Sequence, residues 1–326
     1  MNSLYPLTFF PQYKTRVWGG SKFSHVFSRT NAPQQQCGES WEISGLPEHV
    51  SLVQNGFLAQ NSLEELIEVY MDEIVGAKIY EKFGLDFPLL IKYIDANDVL
   101  SVQVHPNDEL AKTKHNSYGK TELWYVIQAE PDAELIMGFN KEMTAEEFKK
   151  AIDSRTTTNK LAVQKVSAGD IFYIPAGLVH AIGKGILLAE IQQSSDITYR
   201  LYDWDRVDEH GQARELHIDD GIQAIDFSLT NTQKISYTKP KHGTEKIINS
   251  PFFTVNIISA QQPMLKDYYI IDSFVIYMCV EGSANITYQN QQAVSISKGQ
   301  TVLLPCSLHE ITITPLPSVT LLEVYM

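Results

Sequence analysis

A short apolar segment carries three polar side chains at alternate positions, and side chains of these types can bind a metal ion. In residues 100–105, strand geometry sends Ser101, Gln103 and His105 to one face. The opposite face is apolar throughout, with Leu100, Val102 and Val104. Burying the three polar groups without partners would cost about 1–3 kcal/mol each, so this face needs polar neighbours.

Two further residues could complete a metal site with Gln103 and His105. Glu122 opens the next apolar segment, and His180 follows a Pro-Ala-Gly turn. Two imidazoles, one carboxylate and one amide oxygen form a four-ligand set for Zn²⁺ or a similar divalent ion, which leaves a position for water or substrate. Gln is an uncommon metal ligand, and a hydrogen-bonded polar core is the alternative interpretation of the same residues.

The elements that would position these residues are mostly short β-strands. Runs of β-branched and aromatic residues, bounded by Gly, Pro or Asn, predict strands at 100–105, 122–127, 170–176 and 301–305. Capping boxes at 62–65 and 144–147 each predict the start of a helix, and Met143 and Phe148 fit a hydrophobic staple around the second. A third helix is predicted from about 218 to 227. The predicted fold class is therefore mainly β with a few peripheral helices.

An internal repeat extends this interpretation. Residues 165–182 resemble residues 295–312, with Gly169 matched by Gly299 at an offset of 130. The proline six residues later keeps that offset, and the histidine after it is displaced by one position. A Gly turn, a β-branched strand, a proline and then a histidine resemble the closing hairpin of a cupin, a small double-sheet jelly roll.

Two copies of this hairpin predict two cupin-type jelly rolls in tandem. We expect a metal-binding domain with helical additions over residues 1–236 and a second jelly roll over residues 237–326, with the polar stretch 237–246 as the linker. His309 occupies the histidine position of the second copy, but no suitable Gln-x-His or Glu partner precedes it. The second jelly roll is therefore expected to be metal-free and structural.

Charge and composition restrict the partners of the chain. Its 39 Asp and Glu residues outnumber its 26 Lys and Arg residues, so the net charge is −13 and we expect neither nucleic acid nor a membrane surface as a partner. No apolar run approaches 18 residues, and no signal peptide is expected. Three scattered cysteines without CxxC spacing favour a reducing cytoplasm.

Several short motifs occur in a fixed order along the chain. They are Val17-Trp-Gly-Gly20, Cys37-Gly-Glu-Ser-Trp-Glu42, Gln103-Val-His-Pro106, Gly119-Lys-Thr-Glu122, Ile174-Pro-Ala-Gly-Leu-Val-His180 and the run from Glu190 to Arg200. These motifs closely resemble those of the type I phosphomannose isomerases (mannose-6-phosphate isomerases), and the resemblance spans the whole chain in the short bacterial form. It implies one Zn²⁺ per chain with the ligands Gln103, His105, Glu122 and His180.

The reaction implied by the resemblance is the reversible conversion of mannose 6-phosphate to fructose 6-phosphate. A proton moves between C1 and C2 through an enediolate, which a divalent Lewis acid stabilises. The base stays open among Lys120, Asp196 and Glu190, and Arg200 could hold the substrate or stabilise the enediolate. The alternatives are that Lys120 is a surface charge and that Asp196 and Arg200 form a structural ion pair.

The resemblance also implies a substrate cleft. Lys92, at the end of a predicted strand, and Ser101 match family positions that line it and could supply donors for the phosphate, and Trp18 could stack on the sugar. Many longer members have a His where this chain has Gly119, so a proton-transfer role for that His cannot operate here. Only 58 positions separate Glu122 from His180, which leaves no room for the large helical insertion of the long form.

Two other functions are compatible with the bare pattern. Cupins with two His and one Glu also bind Fe(II), so a metal-dependent oxygenase is one alternative, although Gln103 and the motifs around Lys120 and Arg200 count against it. A non-catalytic sugar-phosphate sensor is the other. For an isomerase with a small-molecule substrate, we expect a monomer or a weak homodimer.

Overall fold

The predicted mainly β architecture of two successive jelly rolls is confirmed. The computed structural model describes residues 3–207, 211–229, 234–289 and 291–326. Every pair of neighbouring strands in this part of the chain is antiparallel. None of the helices in the same ranges is long and apolar enough to cross a membrane.

The first jelly roll consists of two packed sheets. Its strands are β1 (Gln12–Gly20), β2 (Cys37–Ile43), β3 (Leu89–Ala96), β4 (Val102–Val104), β5 (Glu122–Ala129), β6 (Glu134–Phe139), β7 (Leu161–Lys165), β8 (Ile171–Ile174), β9 (His180–Ile182), β10 (Ile186–Gln193) and β11 (Tyr199–Tyr202). They form a six-stranded sheet in the order β1-β2-β3-β10-β5-β8 and a five-stranded sheet in the order β11-β4-β9-β6-β7.

The strands of the second jelly roll form one seven-stranded sheet. Its strands are β12 (Gly243–Asn249), β13 (Thr254–Ala260), β14 (Met264–Asp267), β15 (Val275–Tyr288), β16 (Gln292–Ser297), β17 (Thr301–Leu304) and β18 (Glu310–Tyr325). The long strands β15 and β18 pair with each other, and β17 and β14 pair with opposite ends of them.

The helices lie outside the sheets. They are α1 (Lys22–His25), α2 (Leu63–Tyr70), α3 (Asp72–Val75), α4 (Ala77–Phe83), α5 (Asp108–His115), α6 (Ala145–Asp153), α7 (Ile218–Ala224) and a 3-10 helix (Thr157–Lys160). The capping boxes at Ser62 and Thr144 form as predicted, and each hydroxyl accepts from the backbone three residues later. The helix predicted over 218–227 ends at Ala224, and α5 was not predicted.

The two sheets of the first jelly roll enclose an apolar core. Trp124 and Phe172 of the six-stranded sheet pack there with Leu135 and Ile182 of the five-stranded sheet. Leu100 joins this core, although strand alternation placed it on the other face. It precedes β4 and donates its N–H to the carbonyl of Ile182, so it does not follow the alternation of that strand.

The internal repeat is confirmed at the level of backbone conformation. Gly169 and Gly299 have φ values of 90° and 83°, a region that glycine enters without steric cost. A four-residue strand, β8 in one copy and β17 in the other, begins two residues after each glycine. The same turn therefore sets the same strand in both jelly rolls.

The two jelly rolls pack against each other over a shared apolar cluster. It contains Ile91 and Leu123 of the first sheet together with Ile257 and Leu322 of the second jelly roll. At the N-terminal side, the backbone of Leu7 exchanges two hydrogen bonds with that of Leu303 (2.8 and 2.9 Å). The division of the chain at residue 237 stays a prediction.

A buried arginine links the two halves through polar contacts. The Arg29 guanidinium forms a bidentate pair with the Glu42 carboxylate (2.9 and 2.8 Å) and also donates to Ser40 Oγ and to the carbonyl of Gly299 in the second jelly roll. The side chains of Arg29 and Glu42 are only 10% and 4% exposed. The backbone turn before β17 is thus attached to the first sheet by a charged group.

Replacing Arg29 with Met should strongly destabilise the protein. The change would leave the buried Glu42 carboxylate without its cation, which costs about 3–5 kcal/mol. Lys150→Met is the matched control, since it removes an exposed pair with Glu146 worth about 0.3–0.5 kcal/mol. The free energy of unfolding in urea measures both, and equal losses would contradict a structural role for the Arg29 contact.

Candidate active site

Three buried side chains converge on one point at the end of the first jelly roll. His105 follows β4, Glu122 begins β5 and His180 begins β9, and their ligand atoms all lie within 4.8 Å of one another. His105 Nε2 is 3.2 Å from Glu122 Oε1, and His180 Nε2 is 4.0 Å from Glu122 Oε2. The sheets thus bring together residues from three separate motifs of the sequence.

Backbone carbonyls fix the orientation of both imidazoles. The Nδ1 atoms of His105 and His180 lie 2.9 Å from the carbonyl oxygens of Ile197 and Leu178. A carbonyl only accepts, so each Nδ1 carries the hydrogen and each Nε2 presents a lone pair. His105 Nε2 and both Glu122 oxygens are buried and have no hydrogen-bond partner in the described part of the chain. These three atoms offer lone pairs toward one point, as the ligand atoms of a divalent metal ion would.

The protonation states of the three residues also suit a metal ion. Burial and the neighbouring Lys120 lower the pKa of His105 to about 3, and burial lowers the pKa of His180. Burial alone would raise the pKa of Glu122, but opposing interactions, of which that with the Lys120 ammonium is the strongest, hold that pKa well below its ordinary value. The site therefore offers neutral imidazoles and a carboxylate, the forms that bind metal.

Gln103 lies beside these three residues. It is directly opposite His180 in the pairing of β4 with β9, and its amide nitrogen is 3.2 Å from His180 Nε2. An amide ligates a cation through its oxygen, so Gln103 must turn its amide oxygen toward the site to act as the fourth ligand.

Further buried charged side chains lie near Glu122, in or next to the six-stranded sheet. The Lys120 ammonium lies 3.1 Å from Glu122 Oε1, so its interpretation as a surface charge is wrong. Glu190 accepts from Trp124 Nε1 and pairs with the Lys92 ammonium, both at 2.8 Å. Burial and the charge of Glu122 raise the pKa of Glu190.

Lys92 lies in the middle of β3 and not at a strand end. β3 continues to Ala96 because β2 and β10 pair with it on both sides. Burial alone would lower the pKa of Lys92, but Glu190 and Glu39 outweigh it and raise that pKa. Its ammonium is thus already neutralised by neighbouring carboxylates.

Gln103 and Glu122 line a cleft of about 500 Å³ between the two sheets. The residues predicted for substrate binding and catalysis all line it: Trp18, Lys92, Ser101, Lys120, Glu190, Asp196 and Arg200. Trp18 and Ser101 are buried in its walls, whereas Asp196 is exposed at its mouth. The sequence therefore identified residues that the fold brings into one cavity.

Arg200 faces this cleft from β11. It is directly opposite Gln103 in the pairing of β11 with β4, so both side chains lie on the same face. Its NH1 group donates to the carbonyl of Glu215 (2.7 Å), and its Nε is buried without a described partner. The alternative of an Asp196–Arg200 ion pair is wrong, because no contact within 4 Å joins these two described residues.

Sequence reasoning missed a second charged pair in the wall. Glu39 of β2 accepts from Arg16 Nε (2.7 Å) and from Trp41 Nε1 (2.6 Å). Burial raises the pKa of Glu39, but Lys92 and Arg16 outweigh it and lower that pKa to about 2. The motif at 37–42 was a signal, but nothing local in it indicates a distant Arg or Lys partner.

The structure also explains the glycine at position 119. A Cβ built there would lie 2.6 Å from the backbone nitrogen of Asp108, at the start of α5. The N–H of Gly119 donates to the Asp108 carboxylate (2.8 Å). A histidine cannot occupy this position unless α5 moves.

Comparisons with known proteins agree on one family. Residues 7–122 match the family described as phosphomannose isomerase type I, catalytic domain. The chain is 38% identical to the mannose-6-phosphate isomerase ManA of Bacillus subtilis over 94% of both chains. It is 37% identical to a mannose-6-phosphate isomerase of Streptococcus mutans over 92% of both chains.

Solved structures give the same result for the fold. A crystal structure of the mannose 6-phosphate isomerase from Bacillus subtilis superposes with a TM-score of 0.88 at 31% identity, and the match covers 98% of this chain and 99% of that one. A putative mannosephosphate isomerase from Archaeoglobus fulgidus shares the fold with a TM-score of 0.77 at 21% identity, over 99% of this chain and 98% of that one.

His180→Ala should abolish tight binding of a divalent metal. Changes to residues behind a metal ligand already weaken affinity about 10–100-fold, and loss of a ligand should exceed that. His309→Ala is the matched control, because it changes the corresponding histidine of the repeat in the second jelly roll and should leave the metal content unchanged. Atomic spectroscopy after dialysis gives the metal-to-protein ratio. Full metal content in both His105→Ala and His180→Ala would contradict the assigned site.

Proposed function

The chain belongs to the type I phosphomannose isomerases, which interconvert mannose 6-phosphate and fructose 6-phosphate, and we propose how its residues divide that work. The observation that carries the proposal is the convergence of the ligand atoms of His105, Glu122 and His180 beside a cleft that Glu122, Lys120 and Arg200 line.

We propose that His105, Glu122, His180 and Gln103 hold one Zn²⁺. Two neutral imidazoles, one carboxylate and one amide oxygen fit its preference for nitrogen and oxygen ligands. When bound, the metal supplies a Lewis acid that polarises a substrate oxygen and stabilises negative charge on it. The carbonyls of Ile197 and Leu178 keep both histidines oriented for this role.

Lys120, as the neutral amine that remains after its ammonium gives up a proton, is the proposed base for the proton transfer between C1 and C2. Its ionisable atom lies 3.1 Å from Glu122, and its side chain is buried within the cleft. Glu190 is held by Lys92 and Trp124, so it is better suited to a fixed charge in the wall. Asp196 is exposed at the mouth of the cleft and could relay a proton to solvent.

Four further residues are proposed to hold the substrate. Ser101 and the neutralised Lys92 can donate to sugar hydroxyls, and the indole of Trp18 can pack on the sugar ring. Arg200 has a planar fork of donors beside Gln103 and can hold oxygens of the enediolate. Trp18, Lys92 and Arg200 come from three different strands of the first jelly roll, and Ser101 directly precedes β4.

The oxygenase and the sensor are the less supported functions. The curated relatives in the comparisons are isomerases, and Arg200, which lines the cleft without a carboxylate partner among the described residues, suits an anionic substrate better than dioxygen. We also propose a cytoplasmic location, which the three free cysteines support, and a monomer or weak homodimer.

Removal of the metal should stop the isomerisation. A coupled assay of mannose 6-phosphate conversion should lose nearly all activity after treatment with a strong chelator and recover it on addition of Zn²⁺. Oxygen uptake in the presence of Fe(II) should stay at background. Full turnover by the metal-free protein would contradict the proposed mechanism, and uptake of oxygen would favour the oxygenase.

Arg200→Lys should lower kcat by about 10²–10³-fold although the charge is kept. An ammonium cannot replace the two-pronged contact of a guanidinium with oxygens that gain charge in the transition state. Metal content and melting temperature should match the wild type. Arg155→Lys, the same change at an exposed arginine, is the control and should leave kcat within twofold. A similarly small effect of Arg200→Lys would mean that the fork geometry has no role.

A further inference from the structure

The cations on the side of the cleft formed by the six-stranded sheet are already paired with carboxylates. The pairs are Lys92 with Glu190 (2.8 Å), Lys120 with Glu122 (3.1 Å) and Arg16 with Glu39 (2.7 Å). A phosphate dianion placed among them would meet three buried negative charges. This wall therefore suits uncharged sugar hydroxyls better than a phosphate.

The opposite side of the cleft carries an arginine, Arg200, that has no paired carboxylate among the described residues. Arg200 and Arg214 both line it, and Arg200 NH1 donates to the carbonyl of Glu215, the residue after Arg214. Among the described residues no carboxylate lies within 4 Å of the Arg200 guanidinium. Burial and the charge of Arg214 lower the pKa of Arg200, as expected for two guanidinium groups held near each other.

A buried carboxylate behind Arg214 fixes its orientation. Asp203 accepts from Arg214 Nε and NH2 (2.7 and 2.5 Å) and, on the same carboxylate, from Arg206 NH2 (2.7 Å). Asp203 is 5% exposed, whereas the Arg214 side chain is 32% exposed. Two guanidinium groups thus share one carboxylate. The Nε and NH2 groups of Arg214 therefore donate to Asp203, whereas its NH1 has no hydrogen-bond partner among the described residues.

We propose that Arg214 binds the phosphate group of the substrate beside Arg200, and that Asp203 is a positioning residue that aims Arg214 into the cleft. The inference rests on the proposed function, since it concerns the same substrate. A guanidinium offers parallel N–H donors that match two phosphate oxygens. The sequence had instead indicated Lys92 and Ser101 as the phosphate donors.

The two arginines that pair with Asp203 provide a matched test, because only Arg214 lines the cleft. Arg214→Gln removes the proposed contact, whereas Arg206→Gln breaks the other pair with Asp203. Arg206 does not line the cleft, and its NH1 donates to the carbonyl of Val99 (2.6 Å). The measurements are KM and kcat for mannose 6-phosphate, the inhibition constant of inorganic phosphate, and phosphate binding by calorimetry.

We expect Arg214→Gln to raise KM and the phosphate inhibition constant together, by about 10–100-fold, and to leave kcat within about threefold. Arg214→Lys should show a smaller rise of both constants. Asp203→Asn should raise the phosphate constant without changing metal content. Arg206→Gln should leave both constants within twofold.

Unchanged KM and phosphate binding in Arg214→Gln would overturn the inference, as would a fall in kcat at constant KM. If Arg214→Gln does not fold, Arg214→Lys decides, and wild-type phosphate binding by that variant overturns the inference. Calorimetry separates this inference from the isomerase function. A wild-type protein that binds phosphate through Arg214 but does not turn over mannose 6-phosphate would refute the function and leave the phosphate site standing.

Discussion

The buried carboxylate of Glu122 is the group on which the rest of the site depends, because the surrounding residues must stabilise its negative charge. An ionised group so deep in a protein is costly unless positive charge or strong donors surround it. Here the ammonium of Lys120, two residues earlier, supplies positive charge, two neutral histidines point their Nε2 atoms at the carboxylate, and neither carboxylate oxygen has a hydrogen bond from the described residues. The arrangement is stable as an ion pair and is complete only with a cation between the three ligand residues.

Neighbouring strands of the six-stranded sheet also place opposite charges next to each other. Lys92 and Glu190 are directly opposite each other in the pairing of β3 with β10, and Trp41 and Trp124 are their partners on β2 and β5. Each charge thus lies between an opposite charge and an indole. Because register fixes which residues face each other, a slip of one residue in β3 would turn Lys92 to the other face. The chemistry of the cleft depends on strand pairing far more than on any loop.

Part of the fold and of the candidate site could be predicted from short stretches of the sequence. The capping boxes at Ser62 and Thr144 specify helix starts because all their contacts lie within three residues, and the alternation of Gln103 and His105 identifies a polar face for the same reason. The contacts of Lys92 and Glu39 could not be found this way, since their partners are distant in the chain. Arg214 was missed because only the folding of residues 211–217 back onto β11 brings it to the cleft.

The backbone pairing of Leu7 with Leu303 has a consequence for synthesis on the ribosome. The segment that contains Leu7 is synthesised long before its partner strand β17. The apolar surface around Leu7 must therefore wait for β17, whereas Tyr5 and Phe9 already find contacts at Leu58 and Val53. Nascent chains with such late closure are those that chaperones protect from premature association, and a truncated product would leave this surface permanently open.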